Sequence, residues 1–127
     1  MIEKHLTDIF SHFEKEYPKE GCGVIGSKNG KTTWYPCGNQ AEDPEEGFEL
    51  NSKDYLQAIL ASDEIEAVIH SHPDYRPDPS DHDISTCNFL NLPYYIISIP
   101  NKEVVKLLPG ERETSDAKER LFTRTVS

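Results

Sequence analysis

The sequence predicts an α+β domain built as a mixed sheet flanked by helices. Apolar residues recur at spacings of three and four in residues 2–16, which is typical of an amphipathic helix. Asn29-Gly30 lies between two strand-like runs and is a strong hairpin signal. After the hairpin, short apolar runs and helical spacings follow in the order strand, helix, strand, helix, strand, strand. This alternation favours a layered domain with helices packed on a sheet.

Length and charge narrow the class of protein. With 127 residues the chain is long enough for one domain with a core and too short for two ordinary ones. Its net charge of −10 argues against a nucleic-acid partner or an anionic membrane surface, since both attract clustered Lys and Arg. No apolar run approaches the roughly 20 residues of a membrane span, and the amino terminus lacks the apolar core of a signal peptide. We therefore expect a cytoplasmic protein without a membrane span.

The elements of the first half are bounded by proline, glycine and capping residues. The first helix is expected to end at Pro18, because proline interrupts a helix. The hairpin strands are expected at 22–27 and 32–35, followed by a polar loop. A brief strand at 48–50 then leads to a helix of about ten residues, for which Asn51 or Ser52 is the expected cap.

The second half contains the most informative stretch, residues 65–83. An apolar strand runs into His70-Ser71-His72, and a proline-rich loop then leads to a helix that begins near Ser80. Two further strands are expected at 94–99 and 104–108. We place the domain at 1–108 and interpret 109–127 as a polar C-terminal tail or linker, because its composition is charged and poor in apolar residues.

Two histidines are expected to leave the end of the apolar strand on one face. Side chains alternate along a strand, so His70 and His72 should stand side by side at roughly 6–7 Å, with Ser71 on the opposite face. A tetrahedral zinc ion with nitrogen ligands at about 2.0–2.1 Å needs donor atoms only about 3.4 Å apart, which two converging rings can reach. The pair therefore predicts a metal site, although two solvated or hydrogen-bonded histidines fit the same spacing.

A third ligand is expected from the helix that follows the proline-rich loop. Asp81, His82 and Asp83 lie in its first turn, and spacing alone fits each of them. Ser80 and Asp83 also form a pair like a capping box, with Asp in the place of the preferred Glu or Gln. Metal binding and helix initiation are compatible roles for this segment.

The three cysteines, Cys22, Cys37 and Cys87, form neither a disulfide framework nor a C-x-x-C motif. We interpret them as reduced thiols. Cys22 lies close to Glu20 in a glycine-rich strand, so a nucleophilic Cys-His site is one interpretation. A small cysteine packed in the core is the more common arrangement.

The stretch around the histidines resembles a known family. His70-x-His72, seven further residues, Ser80, two more residues and Asp83 reproduce the JAMM motif of the JAB/MPN/Mov34 zinc metallopeptidases without insertion or deletion. Residues 18–26 resemble the family's first strand with its catalytic glutamate, and 39–48 resemble the loop that follows. Residues 92–100 resemble, more narrowly, the K-like bacteriophage tail-assembly branch. The resemblance covers roughly residues 15–108.

The resemblance implies a cytidine-deaminase-like JAB/MPN fold and zinc-dependent hydrolysis of an amide or isopeptide bond. It assigns His70, His72 and Asp83 as ligands of Zn²⁺, with the fourth position left to water. It assigns Glu20 as the general base and Ser80 as the donor that steadies the oxyanion. Two imidazoles and a carboxylate favour zinc, but iron, cobalt and nickel also accept them. Gly21 stands where many relatives have another residue, a change that we expect to be tolerated.

Several substrates and one other class of function stay open at this point. The resemblance implies a protein or peptide substrate, which is a phage tail protein, a peptidoglycan peptide or a ubiquitin-like protein cut near its terminal Gly-Gly. The alternative is a non-catalytic JAB/MPN module that binds partners in tail assembly. A base deaminase of the same general fold needs a C-x-x-C motif, which this chain lacks.

The phage relatives continue into a second domain that resembles peptidoglycan peptidases. We therefore expect either a free-standing domain or a truncated piece of a longer protein. It would be located in the cytoplasm or, if phage-encoded, on the virion tail.

Overall fold

The computed structural model describes residues 2–74, 77–110 and 118–123, the last of these as backbone only. A short 3-10 helix (Ile2–His5) leads into the first α-helix. The other elements follow in chain order: α1 (Leu6–Glu16), β1 (Cys22–Lys28), β2 (Lys31–Cys37), α2 (Ser52–Ala61), β3 (Glu64–His72), α3 (Asp81–Leu90), β4 (Tyr94–Ser98), β5 (Glu103–Leu107) and β6 (Lys118–Thr123). This order confirms the predicted α+β class.

The strands form one mixed sheet. In the described residues it has six strands in the order β2-β1-β3-β4-β5-β6. β3 is antiparallel to β1 and parallel to β4, while the remaining neighbours are antiparallel. Asn29 and Gly30 both have positive φ, of 53° and 78°, and turn β1 into β2 as the Asn-Gly signal predicts.

Helices cover both faces of the sheet. The apolar stripe of α1 packs on one face, where Phe13 and Ile9 are fully buried against Ile25 and Ile69. α2 and α3 cover the other face, where Ala58 and Cys87 pack against Val68. The expected layered arrangement is therefore observed, and β3 lies in its centre. Within the described part of the chain, the helices are too short or too polar to cross a bilayer.

Two segments differ from the sequence-based expectation. Residues 48–50 do not form a strand, because only Leu50 pairs, in an isolated bridge with Asn39. Residues 118–123, which we expected within a polar tail or linker, pair with β5 as an edge strand. A strand at the edge of a sheet tolerates charged residues, so polar composition did not exclude pairing there.

Candidate metal centre

Two histidines lie at the carboxyl end of the central strand. Cys22 of β1 pairs with His70, and Ser98 of β4 pairs with His72, so β3 is enclosed by neighbours on both sides. The side chains of His70 and His72 share the face covered by α2 and α3, and their ring centroids are 5.3 Å apart. The two histidines are 0% and 2% exposed. The alternation expected along this strand is thus present, and both imidazoles are held away from bulk water.

Asp83 approaches the same point from the first turn of α3. Its Oδ1 lies 3.0 Å from Nε2 of His70, and its Oδ2 lies 3.2 Å from Nε2 of His72. The backbone N–H of Ser80 donates to Asp83 Oδ2 at 2.9 Å, and the N–H of Asp83 donates to Ser80 Oγ at 3.1 Å. This reciprocal capping box fixes where the helix begins and aims the carboxylate at the two rings. Asp81 and His82, which spacing had also allowed, are exposed on the same turn.

The unpartnered nitrogens of His70 and the spacing of the donor atoms bear on whether the site fits a metal ion. His70 is fully buried, yet neither of its ring nitrogens has a hydrogen-bond partner among the described residues. Its Nε2 is close to Asp83 but not aligned for a hydrogen bond, and a buried nitrogen of this kind requires an explanation. Donor atoms around a tetrahedral zinc are about 3.4 Å apart, close to the 3.0 and 3.2 Å that separate the carboxylate oxygens from the imidazoles. The residues present fit a divalent metal.

The electrostatics of Asp83 are set by the same neighbours. Burial raises the pKa of the Asp83 carboxyl. The adjacent imidazoles of His70 and His72 and the Ser80 N–H together lower the pKa by more than burial raises it. The net result is a pKa well below its ordinary value. Asp83 is therefore an anion at neutral pH, which is the form that binds a cation.

Glu20 completes the cluster from the segment that precedes β1. One carboxylate oxygen of Glu20 and one ring nitrogen each of His70 and His72 all lie within 4.8 Å of one another, and all three residues are buried. A carboxylate at this position is near enough either to bind the metal directly or to contact a water beside it. The fold therefore brings together all five residues that the sequence singled out: Glu20, His70, His72, Ser80 and Asp83.

The backbone of residues 20 and 21 is held on both sides. Gly21 N–H donates to Ser71 Oγ at 2.7 Å, and Ser71 N–H donates to Gly21 O at 3.0 Å. On the other side, Asn39 Nδ2 donates to Glu20 O at 2.8 Å, and Glu20 N–H donates to Pro44 O at 2.7 Å. Ser71 lies between the two histidines in sequence, so these bonds fix Glu20 relative to both rings.

Two residues near the centre were not singled out from the sequence. Phe48 stacks on the His70 ring, with centroids 4.3 Å apart and planes at 22°. Asn39 organises the loop beside Glu20, because its Oδ1 also accepts the backbone N–H groups of Ala41 and Glu49. An asparagine after Cys37-Gly38 in a polar loop is a recognisable turn signal. The stacking of Phe48 has no local sequence signal.

The cysteines do not form part of a reactive site in the described residues. Cys22, Cys37 and Cys87 are buried free thiols. Burial raises the pKa of the Cys22 thiol strongly, that of Cys37 to about 12 and that of Cys87 to about 11. A thiol must ionise to act as a nucleophile, so these environments favour the packing interpretation over the nucleophilic one.

A mixed sheet between helices, with two histidines and two carboxylates gathered at the end of its central strand, defines the class of JAB-like domains with a candidate metal centre. The chain belongs to the family described as prokaryotic homologs of the JAB domain, whose model matches residues 3–108.

Comparisons with individual proteins agree with this placement. The chain is 35% identical over 109 residues to the "Tail tip assembly protein K" of Escherichia phage N15. That match covers 86% of this chain but only 44% of the relative, so the chain spans less than half of the phage protein.

Two solution structures share the fold. A protein from Desulfitobacterium hafniense superposes with a TM-score of 0.66 at 22% identity, covering 93% of this chain and 86% of the other. A protein from Salinibacter ruber superposes with a TM-score of 0.59 at 22% identity, covering 94% and 86%.

Proposed function

We propose that this protein is a zinc-dependent metallopeptidase of the JAMM type that hydrolyses an amide or isopeptide bond. The observation that supports this most directly is the approach of the Asp83 carboxylate to Nε2 of both His70 and His72, at 3.0 and 3.2 Å. Three buried donors at these separations suit one metal ion and leave a fourth position for water, as a catalytic rather than a structural zinc site requires.

His70, His72 and Asp83 would hold the ion. When bound, zinc supplies a Lewis acid and makes a water nucleophile available at neutral pH. The Asp83 carboxylate is anionic at neutral pH, since its pKa is lowered by the imidazoles beside it. The stack of Phe48 on His70 keeps solvent from that side of the ring.

Glu20 would act as the general base. Its carboxylate lies within 4.8 Å of the imidazole nitrogens, a distance that allows contact with a water between them. It would accept a proton from the attacking water and deliver this proton to the leaving amine. The hydrogen bonds at Gly21 and at the Glu20 carbonyl hold the base at a fixed distance from both histidines.

Ser80 would stabilise the oxygen of the scissile carbonyl as negative charge develops on it. Its Oγ accepts the Asp83 N–H, which leaves the hydroxyl hydrogen available for donation. Capping and catalysis thus use different parts of the same hydroxyl group.

The proposed setting is the assembly of a phage tail. The relative from phage N15 is named for tail tip assembly, and the match covers 86% of this chain. We therefore propose a tail protein as the substrate, with the enzyme in the host cytoplasm or on the virion tail. A peptidoglycan peptide and a ubiquitin-like protein are alternative substrates, and a non-catalytic assembly module is the alternative function.

The test begins with metal content, measured on protein purified without chelator or affinity tag. We expect about one zinc per chain in the wild type and none in His72→Ala. His82→Ala and Asp81→Asn are matched controls, since both residues are exposed on the first turn of α3. Both controls should retain zinc.

Hydrolysis is then assayed on tail proteins of the phage, a ubiquitin-like fusion and purified peptidoglycan. Glu20→Gln should keep the metal and lose most turnover if Glu20 is the base, whereas loss of metal would make it a ligand instead. Absence of bound zinc in the wild type, even after zinc is offered, would exclude the catalytic proposal. Zinc binding without hydrolysis of any of these substrates would favour the assembly module.

A further inference from the structure

A groove lies on the surface between residues 41–50 and α3, beside the candidate metal centre. It has a cavity volume of about 520 Å³, within the range of protein ligand sites, which is roughly 300–1,000 Å³. Its walls are mainly apolar and aromatic, and include Phe48, Leu50, Tyr55, Leu90 and Tyr94.

The groove adjoins the candidate metal centre across the rings of Phe48 and Tyr94. Phe48, which lines it, stacks on His70 with ring centroids 4.3 Å apart. Tyr94, on the same wall, has its ring centroid 5.8 Å from that of His70. His82, the chain neighbour of Asp83, also lines the groove. A chain bound in the groove would therefore lie close to the centre, on the other side of these aromatic rings.

The lining of the groove includes an exposed aromatic side chain. Phe89 of α3 lines the groove and is 87% exposed. A single exposed apolar residue is ordinary, but one at the edge of an apolar groove adds to a continuous surface that a partner can cover. The gain in free energy from burial scales with the apolar area removed from water, so a partner with a small side chain at this point would gain little.

The rim of the groove is acidic. Glu42 and Glu49 line it and are exposed, and none of the described residues that line it is lysine or arginine. The chain as a whole carries a net charge of −10. Charge complementarity therefore favours a basic residue on the bound chain and disfavours an acidic one.

We propose that this groove selects a protein segment in which a large apolar side chain lies beside a basic residue, close to the bond to be cut. The inference rests on the proposed function and names its substrate class. Peptidoglycan stem peptides are built mainly of small and charged residues, so they would fill apolar walls of this size poorly. A protein substrate with an exposed hydrophobic and basic segment fits both the walls and the rim.

The experiment measures binding rather than turnover. A set of fluorescein-labelled octapeptides is prepared from one parent sequence. The peptides carry phenylalanine, alanine or glycine at one position and either lysine or serine at the neighbouring position. Fluorescence anisotropy is measured with the full chain carrying Glu20→Gln, with and without zinc, and muropeptides from purified peptidoglycan are added as competitors. We expect the phenylalanine–lysine peptide to bind at least about tenfold more tightly than the glycine form.

Matched variants separate the walls from the rim. Phe89→Ala should weaken the phenylalanine peptide by about fivefold or more, whereas Leu60→Ala should not, since Leu60 is 75% exposed on α2 and does not line the groove. Glu42→Gln should reduce the preference for lysine over serine. Glu46→Gln, an exposed carboxylate in the same loop but outside the groove lining, is its control.

Equal affinity for the phenylalanine, alanine and glycine peptides would overturn the inference, as would no measurable binding of any of them. The inference would also be overturned if muropeptides displaced the labelled peptide at a lower concentration than the unlabelled phenylalanine peptide does. Selective binding that is lost in Phe89→Ala supports the groove even if no substrate is hydrolysed, and in that case only the peptidase proposal fails.

Discussion

At the residue scale, the hydroxyl of Ser80 has two separable roles. It caps α3 by accepting the Asp83 N–H, and we propose that it donates to the developing oxyanion. Ser80→Ala removes both functions, while Ser80→Asp keeps a good N-cap but has no hydroxyl to donate. We expect both variants to lose about 10²–10³ in the rate of hydrolysis.

Only Ser80→Ala should also lose stability, by about 0.5–2 kcal/mol in chemical denaturation. Ser80→Thr keeps the cap and the donor and is the control. If Ser80→Asp retained the wild-type rate, the hydroxyl would have a capping role alone.

The three thiols give a second prediction at this scale. Cys22, Cys37 and Cys87 are buried, and the pKa of each is raised, so little thiolate exists at neutral pH. We expect their modification by a thiol reagent to be more than about a hundredfold slower in the folded protein than in denaturant. The rates are read by mass spectrometry of each cysteine peptide. Fast labelling of Cys22 with parallel loss of hydrolysis would contradict this and support the nucleophilic interpretation.

At the scale of elements, α1 depends on a glycine in the segment before β1. A Cβ added at Gly21 would meet the ring of Phe13, with its first contact closer than any real Cβ allows. Phe13 is fully buried and also packs edge-on against Trp34, so a shift of its ring would disturb the surrounding core. Gly21 stands where many relatives have another residue, and this packing shows why the present chain has no side chain there.

Gly21→Ala should therefore destabilise the fold by about 1–3 kcal/mol, measured by chemical denaturation. Gly47→Ala is the matched control, because a Cβ there meets nothing within 4 Å, and it should change stability by less than about 0.5 kcal/mol. Phe13→Leu combined with Gly21→Ala should recover part of the loss. Equal effects of the two alanine substitutions would show that the contact with Phe13 does not limit this position.

The elements also show what the sequence could and could not predict. Strict periodicity and turn chemistry predicted α1, the Asn29-Gly30 hairpin and the strand that carries the two histidines. The same local signals failed at 48–50, where the pairing is limited to an isolated bridge between Asn39 and Leu50 and the Asn39 side chain bonds the backbone of Gly47 and Glu49. They failed again at β6, an edge strand that charge does not exclude.

The candidate site was predictable in its residue types but not in its geometry. Spacing predicted His70 and His72 and left Asp81, His82 and Asp83 as candidates for the third ligand, among which the family resemblance selected Asp83. Glu20 has no local signature, and its place near the histidines arises only when β1 pairs with β3. The groove lining was unpredictable for the same reason, since it combines the 41–50 loop with α2, α3 and β4.

At the scale of the whole molecule, zinc binding should stabilise the fold. A ligand that binds only the folded chain adds about 2.7 kcal/mol when its free concentration is a hundred times its Kd. For a domain of this size we expect zinc to raise Tm by about 10 °C, and a chelator to reverse the change. Differential scanning calorimetry of wild type and His72→Ala provides the measurement. A similar increase in His72→Ala would mean that zinc binds elsewhere on the chain.

The pairing of β1 with β3 also bears on the order in which the protein acquires its properties as it folds. His72 and Asp83 are 11 residues apart in the chain, whereas Gly21 reaches Ser71 across 50 residues. Closing a short loop costs less entropy than closing a long one, so contacts between near neighbours are expected to form first. A folding chain would then be able to capture metal before Glu20 reaches the site. Docking of the amino-terminal hairpin would be the event that converts a metal-binding intermediate into a hydrolytic site.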